Sequence, residues 1–147
     1  MIGLIQLVTH ARVRVAGNVI GAIEHGILAL IGIEKTDTIQ QAQTLIERII
    51  NYRIFADAAG KMNCSLKDVH GGLLLVPQFT LVADTRSGTR PGFSLGMPPE
   101  PSSLLFDQIV NYAKQHYPTV ATGQFGANMQ IELCNNGPAT FILKTNE

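Results

Sequence analysis

The sequence predicts an α/β fold in which two helices pack to one side of a mixed β-sheet. Short β-prone runs occur at both ends of the chain, and the uninterrupted apolar run from Gly26 to Ile33 is typical of a strand covered on both faces. Two further segments, 39–50 and 102–116, have the three-or-four spacing of apolar residues that gives a helix one buried stripe. At 147 residues the chain is expected to form a single domain, residues 1–147, with its own core.

The first half of the chain is expected to hold strands and one helix. Strands are predicted at Ile2 to Val8 and at Ala11 to Ala16, the second with alternating polar and apolar residues. Asp37 is expected to cap the helix that follows, with Gln40 at its third position. The buried stripe of this helix is predicted to be Ile39, Ala42, Leu45, Ile46, Ile49 and Ile50.

The second half begins with a strand that contains a proline. Leu73 to Val76 is a buried strand, interrupted by Pro77 and continued by Gln78 to Val82. Because proline removes a ladder donor, we expect this strand to lie at an edge or to bend at Pro77. The aperiodic segment from Ala83 to Pro101 is longer than an ordinary connector, which favours a functional loop. A second helix is predicted from Ser102 or Ser103 to His116, followed by closing strands.

Composition and charge argue against a membrane-spanning protein and against one whose overall charge attracts nucleic acid. The formal net charge is zero, with 11 basic and 11 acidic residues, so an RNA partner must be met by a local patch. A hydrophobic content of 46% is compatible with a homo-oligomer. The sequence shows neither a signal peptide nor an apolar run long enough to span a bilayer, and we expect a cytoplasmic protein. Cys64 and Cys134 lack ligand spacing, so reduced thiols are expected and no metal or cofactor is predicted.

The usual protein nucleophiles have no support in the sequence. The four histidines form no H-E-x-x-H pattern, and G-x-S-x-G, Walker and G-x-G-x-x-G motifs are missing. The stretch P-Q-F-T-L, from Pro77 to Leu81, leaves two readings open. It is either a pleated strand with one polar face, or a distorted strand whose unpaired N–H groups near Phe79 and Thr80 form an oxyanion hole.

The stretch N-N-G-P-A-T, from Asn135 to Thr140, also leaves two readings open. Asn-Gly and Gly-Pro are ordinary turn pairs, which predicts a hairpin between two strands. Pro138, however, would stand where the returning strand should begin to pair, and it has no N–H to donate. A cis Gly137–Pro138 bond would instead hold two carbonyl oxygens in a fixed orientation.

Six stretches together resemble the D-aminoacyl-tRNA deacylase family, and they cover almost the whole chain. Each is short, but their shared order and spacing set the resemblance apart from chance. They are N-Y-R-I-F (51–55), G-K-M-N (60–63), P-Q-F-T-L-V-A-D-T-R (77–86), R-P-G-F-S (90–94), T-G-Q-F (122–125) and N-N-G-P-A-T (135–140).

The resemblance implies an editing hydrolase that cleaves the ester between a D-amino acid, or glycine, and the terminal adenosine of tRNA. It also implies a homodimer with a barrel-like α/β fold, and the 3′ end of aminoacylated tRNA as its partner. In the family the Gly-Pro bond is cis and reaches into the other subunit's pocket, where it excludes L side chains by clash. Carried onto this chain, the catalytic residues are Gln78, Phe79 and Thr80, and the substrate-binding residues are Asn135, Gly137, Pro138, Thr140 and Met129.

Two positions depart from the pattern of the family. Pro77 stands where the first motif usually begins with Ser, and Leu7 stands where an Arg is common. The loss of that Arg raises the alternative of a deacylase with relaxed chirality, similar to the animal type. Two further alternatives are an editing module like those of archaeal threonyl-tRNA synthetases and a non-catalytic module that binds aminoacyl-tRNA ends. Thr80 as a nucleophile is a weaker alternative to catalysis by backbone and RNA, since no base is adjacent in the sequence.

Overall fold

A computed structural model describes residues 1–145, which form a nearly closed, barrel-like mixed sheet with three helices. Two of the helices are long, and a short 3-10 helix follows one of the inner strands. In chain order the elements are β1 (Ile2–Val15), β2 (Asn18–Ile23), β3 (Gly26–Gly32), α1 (Ile39–Asn51), β4 (Phe55–Ala56), β5 (Met62–Cys64), α2 (Leu66–Val69), β6 (Gly72–Pro77), the 3-10 helix (Phe79–Val82), α3 (Pro99–His116), β7 (Val120–Thr122) and β8 (Met129–Lys144).

Strand β1 is the centre of the sheet. Along one edge it pairs with β8 in an antiparallel ladder that runs over almost its whole length. Its other edge pairs with β3 through its first half and with β2 through its second half, both antiparallel. Ala16 and Gly17 connect β1 to β2 with φ angles of 49° and 82°, the backbone that a tight two-residue hairpin requires. Parallel pairing then adds β6 to β3 and β7 to β6.

The sheet curls until its far edges approach each other. A Cβ added to Gly21 of β2 would lie only 2.4 Å from the carbonyl oxygen of Thr122 in β7. Only a residue without a side chain fits there, so glycine allows β2 and β7 to pass closely. The predicted mixed, barrel-like α/β fold is therefore confirmed.

Two apolar layers hold the structure together. Ile27, Ala29 and Ile31 of β3 face helices α1 and α3, and Leu28 of the same strand points into the opposite cluster with Leu74. This alternation explains why the run in β3 is apolar throughout: both of its faces are covered. The predicted stripe of α1 is confirmed for Ala42, Leu45, Ile46, Ile49 and Ile50, which are buried, while Ile39 is partly buried against the same cluster.

The ends of the helices differ from the sequence-based expectation. Thr38, not Asp37, caps α1, because Gln41 completes a capping box in which its Oε1 accepts the Thr38 N–H at 2.8 Å. Asp37 is instead buried, and its Oδ1 accepts a hydrogen bond from the Met1 ammonium at 2.9 Å. Helix α3 begins at Pro99, earlier than Ser102, because proline is tolerated in the first turn of a helix. The four-residue helix α2, capped by Ser65, was not predicted.

Two strand predictions were wrong, because strand pairing depends on partners that the local sequence does not reveal. The two strands expected at the N-terminus are one, β1. The expected strand from Gln78 to Val82 is a 3-10 helix, since the ladder ends after the Gln78 N–H donates to the Ile31 carbonyl at 2.8 Å. Of the two interpretations of 135–140, the hairpin is wrong, because the stretch is an irregular part of the single strand β8. Among the described residues, no helix is long and apolar enough to cross a membrane.

Candidate active site

A cavity of about 680 Å³ opens where β6 ends and β8 begins. Its size is that of a site for a small organic group, and apolar and neutral polar side chains make up nearly all of its wall. The lining residues are Lys35, Val76, Pro77, Gln78, Phe79, Phe93, Ser94, Gly96, Met97, Pro98, Pro99, Ser102, Phe125, Gly126, Ala127, Met129 and Ile131.

The long segment before α3 forms one wall of this cavity. It is held in place by backbone pairing, with isolated bridges between Asp84 and Gly92 and between Glu34 and Gly96. The Arg86 guanidinium hydrogen-bonds both carboxylate oxygens of Asp84 at 2.8 Å. Together with a hydrogen bond from the Arg86 backbone N–H to Asp84 Oδ1 at 3.1 Å, these hydrogen bonds lower the pKa of Asp84 to about 2. The segment is thus an ordered loop that contributes to the site.

The 3-10 helix presents two unpaired backbone donors. In the described chain, the N–H groups of Phe79 and Thr80 have no hydrogen-bond acceptor, as expected for the first turn of a helix. The Leu81 N–H, by contrast, donates to the Gln78 carbonyl at 3.2 Å. The expected strand is absent, yet the expected donors near Phe79 and Thr80 are present beside the cavity. They can stabilise a developing negative charge on an oxygen.

Thr80 has no partner that could act as a base. Its Oγ1 accepts a hydrogen bond from Gln78 Nε2, and among the described residues it bonds to neither a histidine nor a carboxylate. A threonine hydroxyl without an adjacent base is a poor nucleophile at neutral pH. The arrangement therefore favours catalysis by the backbone over a covalent mechanism through Thr80.

Two aromatic rings stand at the rim of the cavity. Phe79 is 63% exposed and Phe93 is 48% exposed, and their ring centroids are 5.2 Å apart at an angle of 53°. Large aromatic side chains this exposed are unusual unless a ligand or partner covers them. Phe93 and Phe125 received no role from the sequence, although both lie in stretches that carry the family resemblance.

Met129 shapes the floor of the cavity together with the loop that precedes it. Its sulfur accepts the Gln124 N–H at 3.4 Å, and a Cβ on Gly123 would come within 2.8 Å of the same sulfur. Gly123 is in turn anchored to the sheet, since its N–H donates to the Leu75 carbonyl at 2.8 Å. The stretch T-G-Q-F is therefore what brings Met129 close to Pro77.

The second motif lies elsewhere. The Gly137–Pro138 peptide bond is cis, as predicted, and both residues are exposed. Asn135 holds the stretch from within: its Oδ1 accepts the Ala139 N–H and its Nδ2 donates to Thr140 Oγ1, each at 3.0 Å. Of the predicted site residues, Gln78, Phe79 and Met129 line the cavity and Thr80 adjoins it, whereas Asn135, Gly137, Pro138 and Thr140 do not line it.

Leu7 lies opposite this motif in the sheet. Its neighbours Gln6 and Val8 pair with Thr140 and Asn135, and the ladder is irregular between them. The Leu7 side chain packs against the helix-facing core cluster. Leu7 therefore supplies no cation to the motif. This is the position at which the sequence has Leu in place of the Arg of the family pattern.

Two solved structures have the same fold over almost the whole chain. One described as a c-Myc DNA unwinding element binding protein superposes with a TM-score of 0.93 at 35% sequence identity and covers 98% of both chains. Another, described as a probable eukaryotic D-amino acid tRNA deacylase, has a TM-score of 0.83 and covers 97% of both chains. Its identity is 13%, so it supports the fold alone.

Sequence comparison identifies the family. Residues 4–144 match the sequence profile of D-Tyr-tRNA(Tyr) deacylase. The D-aminoacyl-tRNA deacylase of Stutzerimonas stutzeri is 54% identical over 145 residues, 99% of this chain and 100% of that protein. The enzyme of the same name from Pseudomonas putida is 55% identical over 144 residues, 98% of this chain and 99% of that protein. The chain belongs to the D-Tyr-tRNA(Tyr) deacylase family, and the expectation of an enzyme of the deacylase class is confirmed.

Proposed function

We propose that this chain is an editing hydrolase that cleaves the ester bond between a D-amino acid and the terminal adenosine of tRNA. The observation that carries the proposal is the pair of unpaired N–H groups of Phe79 and Thr80 beside a mostly apolar cavity. The relatives at 54% and 55% identity, which are named for this activity, support it. The products are the free D-amino acid and an intact tRNA.

The cavity is suited to the terminal aminoacyl-adenosine. Its volume of about 680 Å³ exceeds what an amino acid alone needs, so the nucleoside can enter as well. The exposed rings of Phe79 and Phe93 offer flat apolar surface on which a base can stack. An unpaired base at the 3′ end of tRNA is available for such stacking because it belongs to no duplex.

Hydrolysis in this scheme needs no protein nucleophile. Water attacks the ester carbonyl carbon, the N–H groups of Phe79 and Thr80 bind the oxygen that becomes negative, and the bond to the ribose oxygen breaks. The leaving ribose oxygen takes up a proton, and the neighbouring 2′-hydroxyl of the substrate helps to orient or activate the water. The lack of a base beside Thr80 fits this division of labour between protein and RNA.

Chiral selection is assigned to the exposed Gly137–Pro138 motif of a second subunit. The motif does not line the cavity of its own chain, yet Asn135 holds it rigidly. We place it in the partner's cavity, where its carbonyl oxygens bind the substrate amino group and leave no room for an L side chain. Glycine has no side chain to clash, so Gly-tRNA is expected to be hydrolysed as well.

Mixed dimers test this placement. Ala127→Trp would fill the cavity, and Gly137→Val would disrupt the motif, because Gly137 has a φ of 137° that a β-branched residue rarely adopts. Each variant alone should be inactive. A purified heterodimer of the two should recover about half of the wild-type activity, since one of its two sites combines an intact cavity with an intact motif. A heterodimer as inactive as its parents would contradict the cross-subunit site.

The non-catalytic alternative makes a different prediction. A module that only binds and shields aminoacyl-tRNA ends would slow ester loss, and at most one ester would be protected per site. Hydrolysis of many equivalents of D-aminoacyl-tRNA per protein chain would reject that alternative. An unchanged or slower rate of ester loss would favour it over the editing hydrolase.

A further inference from the structure

Lys35 is the one charged residue among those that line the cavity in the described part of the chain. Neither the sequence motifs nor the reaction scheme above gives it a role. We propose that its ammonium group binds the phosphate that joins the terminal adenosine of the tRNA to the preceding nucleotide. Lys35 is thus a substrate-binding residue for the RNA strand, and this assignment rests on the proposed function.

The backbone around Lys35 pairs with the loop before α3, which forms one wall of the cavity. The Lys35 N–H donates to the Leu95 carbonyl at 3.1 Å, and the Met97 N–H donates to the Ile33 carbonyl at 3.1 Å. Glu34 and Gly96 form a β-bridge between these two bonds. The position from which the lysine side chain extends is therefore set before any substrate arrives, which lowers the entropy cost of binding.

The carboxylates next to Lys35 in the sequence are engaged by another cation. The Met1 ammonium donates to Glu34 Oε1 at 2.7 Å and to Asp37 Oδ1 at 2.9 Å, and the Glu34 N–H donates to Asp37 Oδ2 at 2.6 Å. Asp37 is buried, on the side of the core. In the described chain no carboxylate lies within ion-pair distance of the Lys35 ammonium, so its charge is available to a ligand.

The chemistry of the substrate selects phosphate as that ligand. The amino acid enters as an ester, so it has no free carboxylate, and its amino group is itself a cation. The remaining anion close to the reacting ester is the phosphodiester on the 5′ side of the terminal nucleoside. An ammonium on a flexible stem meets phosphate oxygens as a point charge without reading sequence. Arg86, in the loop before α3, is not among the residues that line the cavity and is already paired with Asp84.

Substrates with and without the phosphate test the proposal. Lys35→Gln keeps a polar side chain that is one atom shorter and removes the charge. Its KM for D-tyrosyl-tRNA and for the dinucleotide ester D-tyrosyl-CpA should rise about tenfold, while kcat is unchanged, as expected on losing one charge-assisted hydrogen bond. Its KM for D-tyrosyl-adenosine, which has no phosphate, should equal that of the wild type. Lys35→Arg should restore most of the affinity for the dinucleotide ester.

A matched control is Lys61→Gln, since Lys61 is exposed in the turn between β4 and β5 and does not line the cavity. It should leave KM unchanged for all three substrates. An equal rise in KM for D-tyrosyl-adenosine and D-tyrosyl-CpA with Lys35→Gln would overturn the phosphate assignment, and so would no rise for either. Failure of the proposed function is distinct, because the wild-type protein would then hydrolyse none of the three esters.

Discussion

Asn135→Ala is the substitution whose effect follows most directly from the contacts of the exposed motif. The Asn135 side chain makes two hydrogen bonds, from the Ala139 N–H and to Thr140 Oγ1, both at 3.0 Å. At about 1 kcal/mol each, their loss removes about 2 kcal/mol that holds the motif in shape. If the motif acts only in that shape, kcat/KM for D-tyrosyl-tRNA should fall about 30-fold, because 1.36 kcal/mol corresponds to a factor of ten.

The adjacent residue provides the control for this experiment. The exposed Asn136 side chain makes no hydrogen bond among the described residues, so Asn136→Ala should change kcat/KM by less than about threefold. Deacylation rates of both variants should be measured beside urea unfolding, to separate loss of the motif from loss of the fold. Equal effects of the two substitutions, or full activity of Asn135→Ala, would refute the role given to Asn135.

Three further substitutions or titrations have defined outcomes. Thr80→Ala should lower kcat by less than about tenfold if catalysis rests on backbone groups, whereas loss of a true nucleophile removes nearly all activity. Arg86 lowers the pKa of Asp84 from 3.8 to about 2, so the pair stabilises its loop fully above about pH 4 and this is lost as pH falls toward 2. NMR titration of Asp84 in Arg86→Gln should show a midpoint raised above about 2, because the guanidinium hydrogen bonds are lost while the backbone N–H of residue 86 still donates to Asp84 Oδ1. Ser65→Ala should lower the free energy of unfolding by about 1 kcal/mol, because it removes the cap of α2, and a shifted urea midpoint with an unchanged m-value would show it.

The spacing of apolar residues along the sequence predicted helix α1 and strand β3. The stripe of α1 repeats at helical spacing, so its buried face could be identified without knowing the neighbours of the helix. The apolar run of β3 indicated burial on both faces for the same reason. The cap of α1 was placed one residue too early because Asp37 and Thr38 are both good caps, and only the distant Met1 ammonium decides between them.

Where a strand ends, and which distant strand it pairs with, could not be predicted. Whether Phe79 to Val82 continues a strand depends on a partner strand that the chain does not supply there. The stretch 135–140 contains the Asn-Gly and Gly-Pro pairs typical of a hairpin turn, yet its partner is β1, far away in sequence. Whether turn-forming residues make a turn or lie within a long strand can be decided only when the pairing register of both strands is known.

The candidate site was predicted in part. Gln78, Phe79 and Met129 were assigned through the family resemblance, and all three line one cavity. Phe93 and Lys35 were not assigned, since nothing in their spacing shows that the loop before α3 folds back onto the end of β3. The residues 135–140 were grouped with the others through the resemblance, and geometry within one chain does not bring them to the cavity.

The most direct test of the account is the parallel deacylation of D-Tyr-tRNA, L-Tyr-tRNA and Gly-tRNA by sub-stoichiometric amounts of the protein. We predict rapid loss of the D-tyrosyl and glycyl esters, with L-Tyr-tRNA left intact, despite Leu7 in the strand opposite the motif. Comparable loss of L-Tyr-tRNA would contradict selection by the Gly137–Pro138 motif and indicate a deacylase of relaxed chirality. Persistence of all three esters would contradict the assignment of an editing hydrolase.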